Sequence, residues 1–462
     1  MSDSTVTIFF EGRAVAARAG TSVAAALWEH GVAALSHSPK YGRPRGVKCA
    51  RGHCMNCLMR IDGVPNVRAC LTQVADGMRV GRQDSGAPYG APMQKVLDKG
   101  GHLFPVGFYY KWFTKPSALS RMFMSGLRPL TGVGRLPEPA AWADHGDTPP
   151  ARDLGHIETL VIGAGIAGMG EALAADGEVM LVDDSLRCGG QRRAAFDLVT
   201  ESAADVLNGL EHLAALRARL ENLAARVEAE PRIEVRTGTT VVGAWQPDML
   251  LLEDSEGLAV VRARHICWAA GALDAAPLFD DNDRPGLIGP RALYRLLARD
   301  GLDLAGRATL VAGRGFDAVL SAALLHTAGA KVTVALEPGR TGDPALLATA
   351  NRLGWSLHTG QTIAAAHAQN DRLASVSLAS TDGGTTEVPC DLAVIATRAK
   401  PAYDLAYQLG VDLVLDPERG GYVPRGADLG RLETTTPAGV GLIVAGEAAG
   451  LSPEALLQEV SA

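Results

Sequence analysis

Four cysteines near the start of the sequence constrain this chain more than any other feature. Cys49, Cys54, Cys57 and Cys70 follow the spacing C-x4-C-x2-C-x12-C. Three share one tight loop, and the fourth heads a short apolar segment. The opening C-x4-C-x2-C is the plant-type spacing for a [2Fe–2S] cluster, with the last thiolate supplied further on. Zinc sites favour paired C-x2-C units, and only one such pair is present. The loop Val47-Lys48-Cys49-Ala50-Arg51-Gly52-His53-Cys54-Met55-Asn56-Cys57 suits the task. Ala50 and Gly52 are small, so the backbone can wrap closely and aim N–H groups at sulfur, which helps set the potential. Four cysteines complete the ligand set, so His53 is expected outside it.

The flanking residues predict a small α+β ferredoxin-like domain over residues 1–83. Thr5 to Phe10 and Arg13 to Ala17 read as a hairpin around Glu11-Gly12. Ser22 to His30 reads as a short helix capped by Thr21 or Ser22. A [2Fe–2S] domain moves single electrons, so the rest of the 462 residues must feed or drain it.

A second signal begins at Thr159. Thr159-Leu160-Val161-Ile162 has the composition of a buried parallel strand. Gly163-Ala164-Gly165-Ile166-Ala167-Gly168 and a helix to Ala175 follow, which puts G-x-G-x-x-G in its required context. Glu178 to Val182 gives the next strand, and Asp183 ends it 20 residues after Gly163. That acid is expected at ribose hydroxyls, with the pyrophosphate at the helix N-terminus. Three further pieces favour FAD as the dinucleotide. They are Gly189-Gly190-Gln191, the strand Val261 to Trp268 running into Ala269-Ala270-Gly271-Ala272, and Leu442-Ile443-Val444-Ala445 turning at Gly446-Glu447. The second piece is similar to the A-T-G motif of two-dinucleotide flavoproteins, and in those proteins the last turn usually carries an Asp that contacts the flavin ribityl chain. Glu447, one methylene longer, stands in its place.

A second Rossmann unit is nested inside the first. Thr309 to Ala312 is its strand, Gly313-Arg314-Gly315-Phe316-Asp317-Ala318 its turn, and Lys331 to Leu336 its next strand, ending at Glu337. Gly313, Gly315 and Glu337 are therefore candidate nucleotide residues, with Glu337 suited to an NAD ribose. Against this, Asp317 falls where a pyrophosphate would sit, and Phe316 crowds the turn. NAD, another nucleotide such as ATP, and an empty structural unit all stay open.

The expected class is α/β: the ferredoxin-like domain, then a glutathione reductase-like flavoprotein with two dinucleotide-binding domains. The predicted divisions are a linker and docking segment over 84–155, the FAD domain over 156–300 and 398–462, and the nested NAD-type domain over 301–397. Gly107 to Phe113 places five aromatics in seven residues of a chain only 5% aromatic. The segment is either an anchor for the linker or a docking surface for another subunit. Net charge is −7, which gives no reason to expect nucleic acid. No apolar run approaches the ~20 residues of a membrane span. Met1-Ser2-Asp3-Ser4 lacks a signal core, and seven cysteines make no disulfide scaffold, so a reducing cytoplasm is expected. Cys188, Cys267 and Cys390 are isolated and read as small buried hydrophobes, which argues against a disulfide reductase.

The run His37-Ser38-Pro39-Lys40-Tyr41-Gly42-Arg43-Pro44-Arg45-Gly46 before the cluster loop, the Gly107-Phe108-Tyr109-Tyr110-Lys111 segment and the flavoprotein after it resemble sarcosine oxidase alpha subunits. Hydrogen cyanide synthase and opine oxidase are similar, with the cluster protein and flavoprotein as separate chains. The resemblance implies an alpha-type electron-transfer subunit beside a beta-type FAD subunit that oxidises an amine or amino acid. It also implies, for some relatives, FMN at a subunit interface. It leaves the electron acceptor unnamed. Family members continue into a folate-binding region, whereas this sequence ends at Ala462, so no folate chemistry is expected. From the residues alone, a self-contained NADH:acceptor oxidoreductase and a non-catalytic scaffold are the alternatives. No catalytic residue is identifiable.

Overall fold

In the computed structural model, the residues described are 4–38, 43–82, 115–130, 150–198, 211–246, 248–337, 344–452 and 455. The aromatic segment Gly107–Phe113 lies outside them.

Among the described residues, the N-terminal unit is built on a five-stranded sheet and a helix. Strands β1 (Thr5–Phe10) and β2 (Arg13–Arg18) form the expected hairpin, with Glu11 and Gly12 both at positive φ in its turn. Helix α1 (Val23–Glu29) follows, and the Ser22 hydroxyl caps it by accepting from the Ala25 N–H at 3.2 Å. Strands β3 (Leu58–Ile61), β4 (Val64–Arg68) and β5 (Arg79–Arg82) complete the sheet in the order β2-β1-β5-β3-β4. The cysteine loop occupies the long connection between α1 and β3.

The larger unit begins with β6 (Arg152–Ile162), helix α2 (Ile166–Ala174) and β7 (Val179–Asp183). β7 is buried along its whole length, as a central parallel strand with no polar alternation must be. Helices α3 (Gly190–Leu198) and α4 (Glu211–Ala229) lead to β8 (Ile233–Thr237), β9 (Thr240–Gln246), β10 (Met249–Asp254) and the long β11 (Gly257–Trp268). The sheet runs β8-β7-β6-β11-β10-β9. The second unit intervenes with helix α5 (Pro290–Ala298). Its parallel sheet is β12 (Leu287–Ile288), β13 (Ala308–Gly313), β14 (Lys331–Leu336), β15 (Ser356–Thr359) and β16 (Leu392–Ala396), in the order β12-β16-β13-β14-β15. Helix α6 (Gly315–Thr327) joins β13 to β14. The chain then returns: β17 (Arg431–Thr435) pairs with β18 (Gly441–Ala445), and β18 lies parallel to the end of β11. That return is what carries Gly446 and Glu447 back beside the first glycine turn.

The cluster unit is packed onto the flavoprotein. One apolar cluster contains Leu27, Leu35 and Met59 together with Leu293, Tyr294 and Leu325. Gly46 lies so close that a Cβ there would meet Pro285. Polar contacts fasten the seam. Arg18 Nη2 donates to the Asp300 and Gly301 carbonyls at 2.9 Å each, the Ser22 N–H donates to Asp300 Oδ1 at 2.8 Å, and Arg43 pairs with Asp281 at 2.6 Å. Asp300 is fully buried, so its carboxylate depends on the Ser22 N–H and on Arg299 at 2.7 Å.

Candidate functional site

The four cluster cysteines converge. Cys49, Cys57 and Cys70 are buried and Cys54 is half-buried. The thiols of Cys49, Cys54, Cys57 and Cys70 lie close enough to perturb one another. Thiols this close split their protons. Hydrogen bonds from Cys54 and Cys70 push Cys49 down, and the same contacts push Cys54 and Cys70 up. Backbone N–H groups point at sulfur as expected: Arg51 N–H reaches Cys49 Sγ at 3.4 Å, and Asn56 N–H bonds Cys54. The loop needs an unusual backbone for this. Ala50 and Gly52 both have positive φ, and a Cβ on Gly52 would strike Leu71. A two-iron cluster takes two thiolates per iron, and this donor set of four adjoining sulfurs with amide donors fits it.

A cavity of about 390 Å³ opens at the first glycine turn. Of the predicted residues, Gly163, Gly165, Asp183, Gly190, Gln191, Ala270, Gly271, Gly446 and Glu447 line it. Gly168 sits behind the wall, where a Cβ would overlap the Gly163 carbonyl. Helix α2 starts with Gly165 as N-cap and no side chain bonded to its first N–H groups, which leaves them for an anion. Gln191 Oε1 and Arg192 Nε are buried without partners on two residues of the wall. The cradle therefore fits an FAD-sized dinucleotide.

Two acids sit differently from the expectation. Asp183 lines the cavity, but Oδ2 accepts from the Ala164 N–H at 2.6 Å and Oδ1 from the Ser185 N–H at 2.8 Å. It braces the glycine turn. The next residue, Asp184, carries the carboxylate that meets side chains at the cavity: Arg51 at 3.1 Å and Arg295 at 3.2 Å. Burial raises the Asp184 pKa, but those two guanidiniums outweigh it and hold the carboxyl below the ordinary range. Glu447 also lines the cavity, yet both its oxygens are taken. Arg192 donates to each at 3.0 Å and Arg291 to Oε1 at 2.9 Å. Burial opposes ionisation there, but the two arginines pull the pKa down to about 2.

The second glycine turn carries buried side chains. Phe316 and Asp317 are buried at the start of α6. Asp317 does not stand ready to repel a phosphate. It accepts from Tyr294 Oη at 3.1 Å and from Arg291 at 3.3 Å, with Arg192 at 3.7 Å, while the Arg192 guanidinium lies over the Phe316 ring. Glu337 faces Arg314 at 3.7 Å. Gly313, Gly315 and Glu337 do not line the 390 Å³ cavity. Cys188, Cys267 and Cys390 are buried, and burial pushes Cys188 up to about 11 and Cys390 to about 12.

Sequence reasoning missed the residues that join the sites. Arg51 and His53, from the cluster loop, line the dinucleotide cavity, and His53 is exposed there. His53 also lines a second cavity of about 220 Å³ with Lys48, Cys49 and Cys54 on one side and Asp274 to Pro277 on the other. Their position inside the cysteine motif was the one available signal. Arg291 and Arg295, on α5, had none.

Comparison with known proteins agrees with this architecture. Residues 3–85 match the 2Fe-2S iron-sulfur cluster binding domain, and residues 157–425 match pyridine nucleotide-disulphide oxidoreductase. The chain is similar to sarcosine oxidase subunit alpha of Corynebacterium sp. (strain U-96), 24% identical over 449 residues, covering 92% of this chain and 40% of that protein. The subunit from Rhizobium meliloti (strain 1021) is 27% identical over 317 residues, 63% of this chain and 30% of that one. The chain thus spans well under half the length of these relatives. Hydrogen cyanide synthase subunit HcnA of Pseudomonas aeruginosa is 41% identical over 80 residues, 17% of this chain and 76% of HcnA. The fold is shared with L-proline dehydrogenase from P. horikoshii at a TM-score of 0.61 and 19% identity, over 97% of this chain and 70% of that one. With two adjoining cofactor cradles and these matches, the chain belongs to the pyridine nucleotide-disulphide oxidoreductase family, as a sarcosine oxidase alpha-like flavoprotein with a [2Fe–2S] domain and FAD as its cofactors.

Proposed function

We propose that the chain is the electron-transfer subunit of a hetero-oligomeric dehydrogenase or oxidase acting on an amine or amino acid. The observation that carries this reading is the shared wall: Arg51 and His53 belong to the cluster loop and also line the FAD cavity. FAD handles electron pairs and can release them singly, and a [2Fe–2S] cluster carries them one at a time. In this reading Cys49, Cys54, Cys57 and Cys70 hold the irons. Gly163, Gly165 and the first N–H groups of α2 bind the diphosphate, and Gly168 lets the turn close. Asp184 takes the ribose position, with Asp183 as its brace. Gln191, Ala270, Gly271 and Gly446 line the flavin half, with Glu447 fixing Arg192.

The partner is a beta-type FAD subunit that removes electrons from the amine. The reading draws on relatives that are themselves called subunits of sarcosine oxidase and hydrogen cyanide synthase. Among the described residues, no helix is long and apolar enough to cross a membrane. Purification from the native host tests the proposal. The chain should co-purify with a second flavoprotein, and adding sarcosine or a related amine without oxygen should reduce the cluster, seen by EPR. A chain recovered alone with full amine-oxidising activity sinks the idea.

A further inference from the structure

Arg51 stands in two sites at once. Its backbone belongs to the cysteine loop, and its N–H is directed at Cys49 Sγ. Its guanidinium leaves the loop and reaches the dinucleotide cavity, where Nη2 pairs with Asp184 Oδ2 at 3.1 Å. Arg295 Nη2 already holds both oxygens of that carboxylate at 3.2 Å. Two guanidiniums therefore share one carboxylate. Arg51 Nη1 is buried and has no hydrogen-bond partner. An unpaired buried donor on a charged group is costly, and a phosphate oxygen is the kind of acceptor that would satisfy it. Arg18 and Arg43 also cross the seam between the units, but neither lines this cavity.

We propose that Arg51 couples the nucleotide phosphates to the electron count of the cluster, so that nucleotide binding and cluster reduction oppose each other. The inference rests on reading the cavity as the dinucleotide site. Reduction adds a negative charge beside the Arg51 backbone. A bound nucleotide brings its negative diphosphate into the cavity that the Arg51 guanidinium lines. Arg51 links the two because its guanidinium is shared: as it turns toward one charge its hold on the other weakens, whereas a rigidly fixed charge would favour both without coupling them. Linkage makes the effect reciprocal: if reduction weakens nucleotide binding, the nucleotide lowers the cluster potential by the same free energy.

The test uses the full chain with its cluster intact and its flavin removed, and ADP as a redox-inert probe. ADP affinity is measured by calorimetry with the cluster oxidised and after dithionite reduction. ADP should bind roughly three- to tenfold more weakly to the reduced protein; a tenfold ratio equals about 59 mV of lowered midpoint potential in an EPR-monitored titration with saturating ADP. Arg51→Gln should bring the ratio close to one, and Arg51→Lys, which keeps the charge, should retain most of it. Arg295→Gln should weaken ADP in both redox states equally and leave the ratio intact. Iron and sulfide analysis checks each variant, and if Arg51→Gln loses its cluster, the wild-type ratio and Arg51→Lys decide. Equal ADP affinity in both states, or a full ratio in Arg51→Gln, overturns the coupling and leaves the dinucleotide site standing. No ADP binding at all overturns both.

Discussion

The two glycine turns of this chain share the backbone of their first glycine but not a surrounding. Gly163 and Gly313 both have positive φ, and in each case a Cβ would strike the carbonyl of the neighbouring strand end, Ala269 or Ala396. Beyond Gly163 the chain leaves a 390 Å³ cavity and a bare helix start. Beyond Gly313 the helix start carries Phe316 and Asp317, both buried, and the third glycine is replaced by Ala318. A glycine pair thus marks a tight strand-to-helix turn. Whether a ligand can use the turn depends on the next few side chains and on what packs over them. The turns are also linked, because Arg192 and Arg291 bind Glu447 at the first site and Asp317 at the second.

The comparison breaks most severely at Gly168. Gly168→Val should abolish FAD retention, because the added side chain must displace the Gly163 carbonyl. It should also destabilise the fold by roughly 3 kcal/mol, the upper part of the overpacking range. The flavin-to-protein absorbance ratio and urea unfolding read the two effects. A variant that keeps its flavin refutes the role of that turn.

Glu447→Gln comes next. The carboxylate's pKa is lowered from 4.5 to about 2 in the folded chain. Its contribution is therefore complete above about pH 5 and is lost as pH falls through about 2. A shift of that size is worth about 3 kcal/mol at neutral pH, and about two fifths of it should remain at pH 3. The stability gap between wild type and Glu447→Gln should shrink accordingly between pH 7 and pH 3 in urea titrations. A gap that stays constant contradicts the ion-pair origin.

Ala318→Gly restores the glycine missing from the second turn. It should cost only about 1 kcal/mol as a helix glycine, without creating a nucleotide site, since Phe316 and Asp317 still fill the turn. Thermal unfolding with and without NADH measures this, and NADH protection of the variant alone would make the missing glycine the deciding feature. The smallest expected effect is on the wild type. Anaerobic stopped-flow mixing with NADH should leave the flavin spectrum unchanged, and rapid bleaching would revive a self-contained NADH oxidoreductase.

Local signals were legible in the sequence where short-range physics is decisive. The hairpin around Glu11-Gly12 and the Ser22-capped helix occur as read, because turn geometry and capping involve residues a few positions apart. The same holds for the buried strands β7, β13 and β14. The four cysteines were legible because one loop carries three of them. What the sequence did not show is that the Asp183 carboxylate is captured by the backbone N–H groups of Ala164 and Ser185, while the neighbouring Asp184 meets the arginines. The Asp317 reading assumed an acid facing an open turn, while partners on α5 turn it inward.

The sequence by itself determined the parts: a cysteine loop for two irons, a strand–turn–helix for a dinucleotide, and a second such unit nested within it. Tertiary structure alone decided how the parts meet. Arg51 lies 133 positions before Asp184, and Arg192 lies 255 before Glu447. Charge pairs that distant leave no periodic trace in a sequence, because nothing local requires them. They form only when the cluster unit packs against the flavoprotein and β18 returns to the first sheet, and that packing brings the loop of Cys49 to the wall of the FAD cavity.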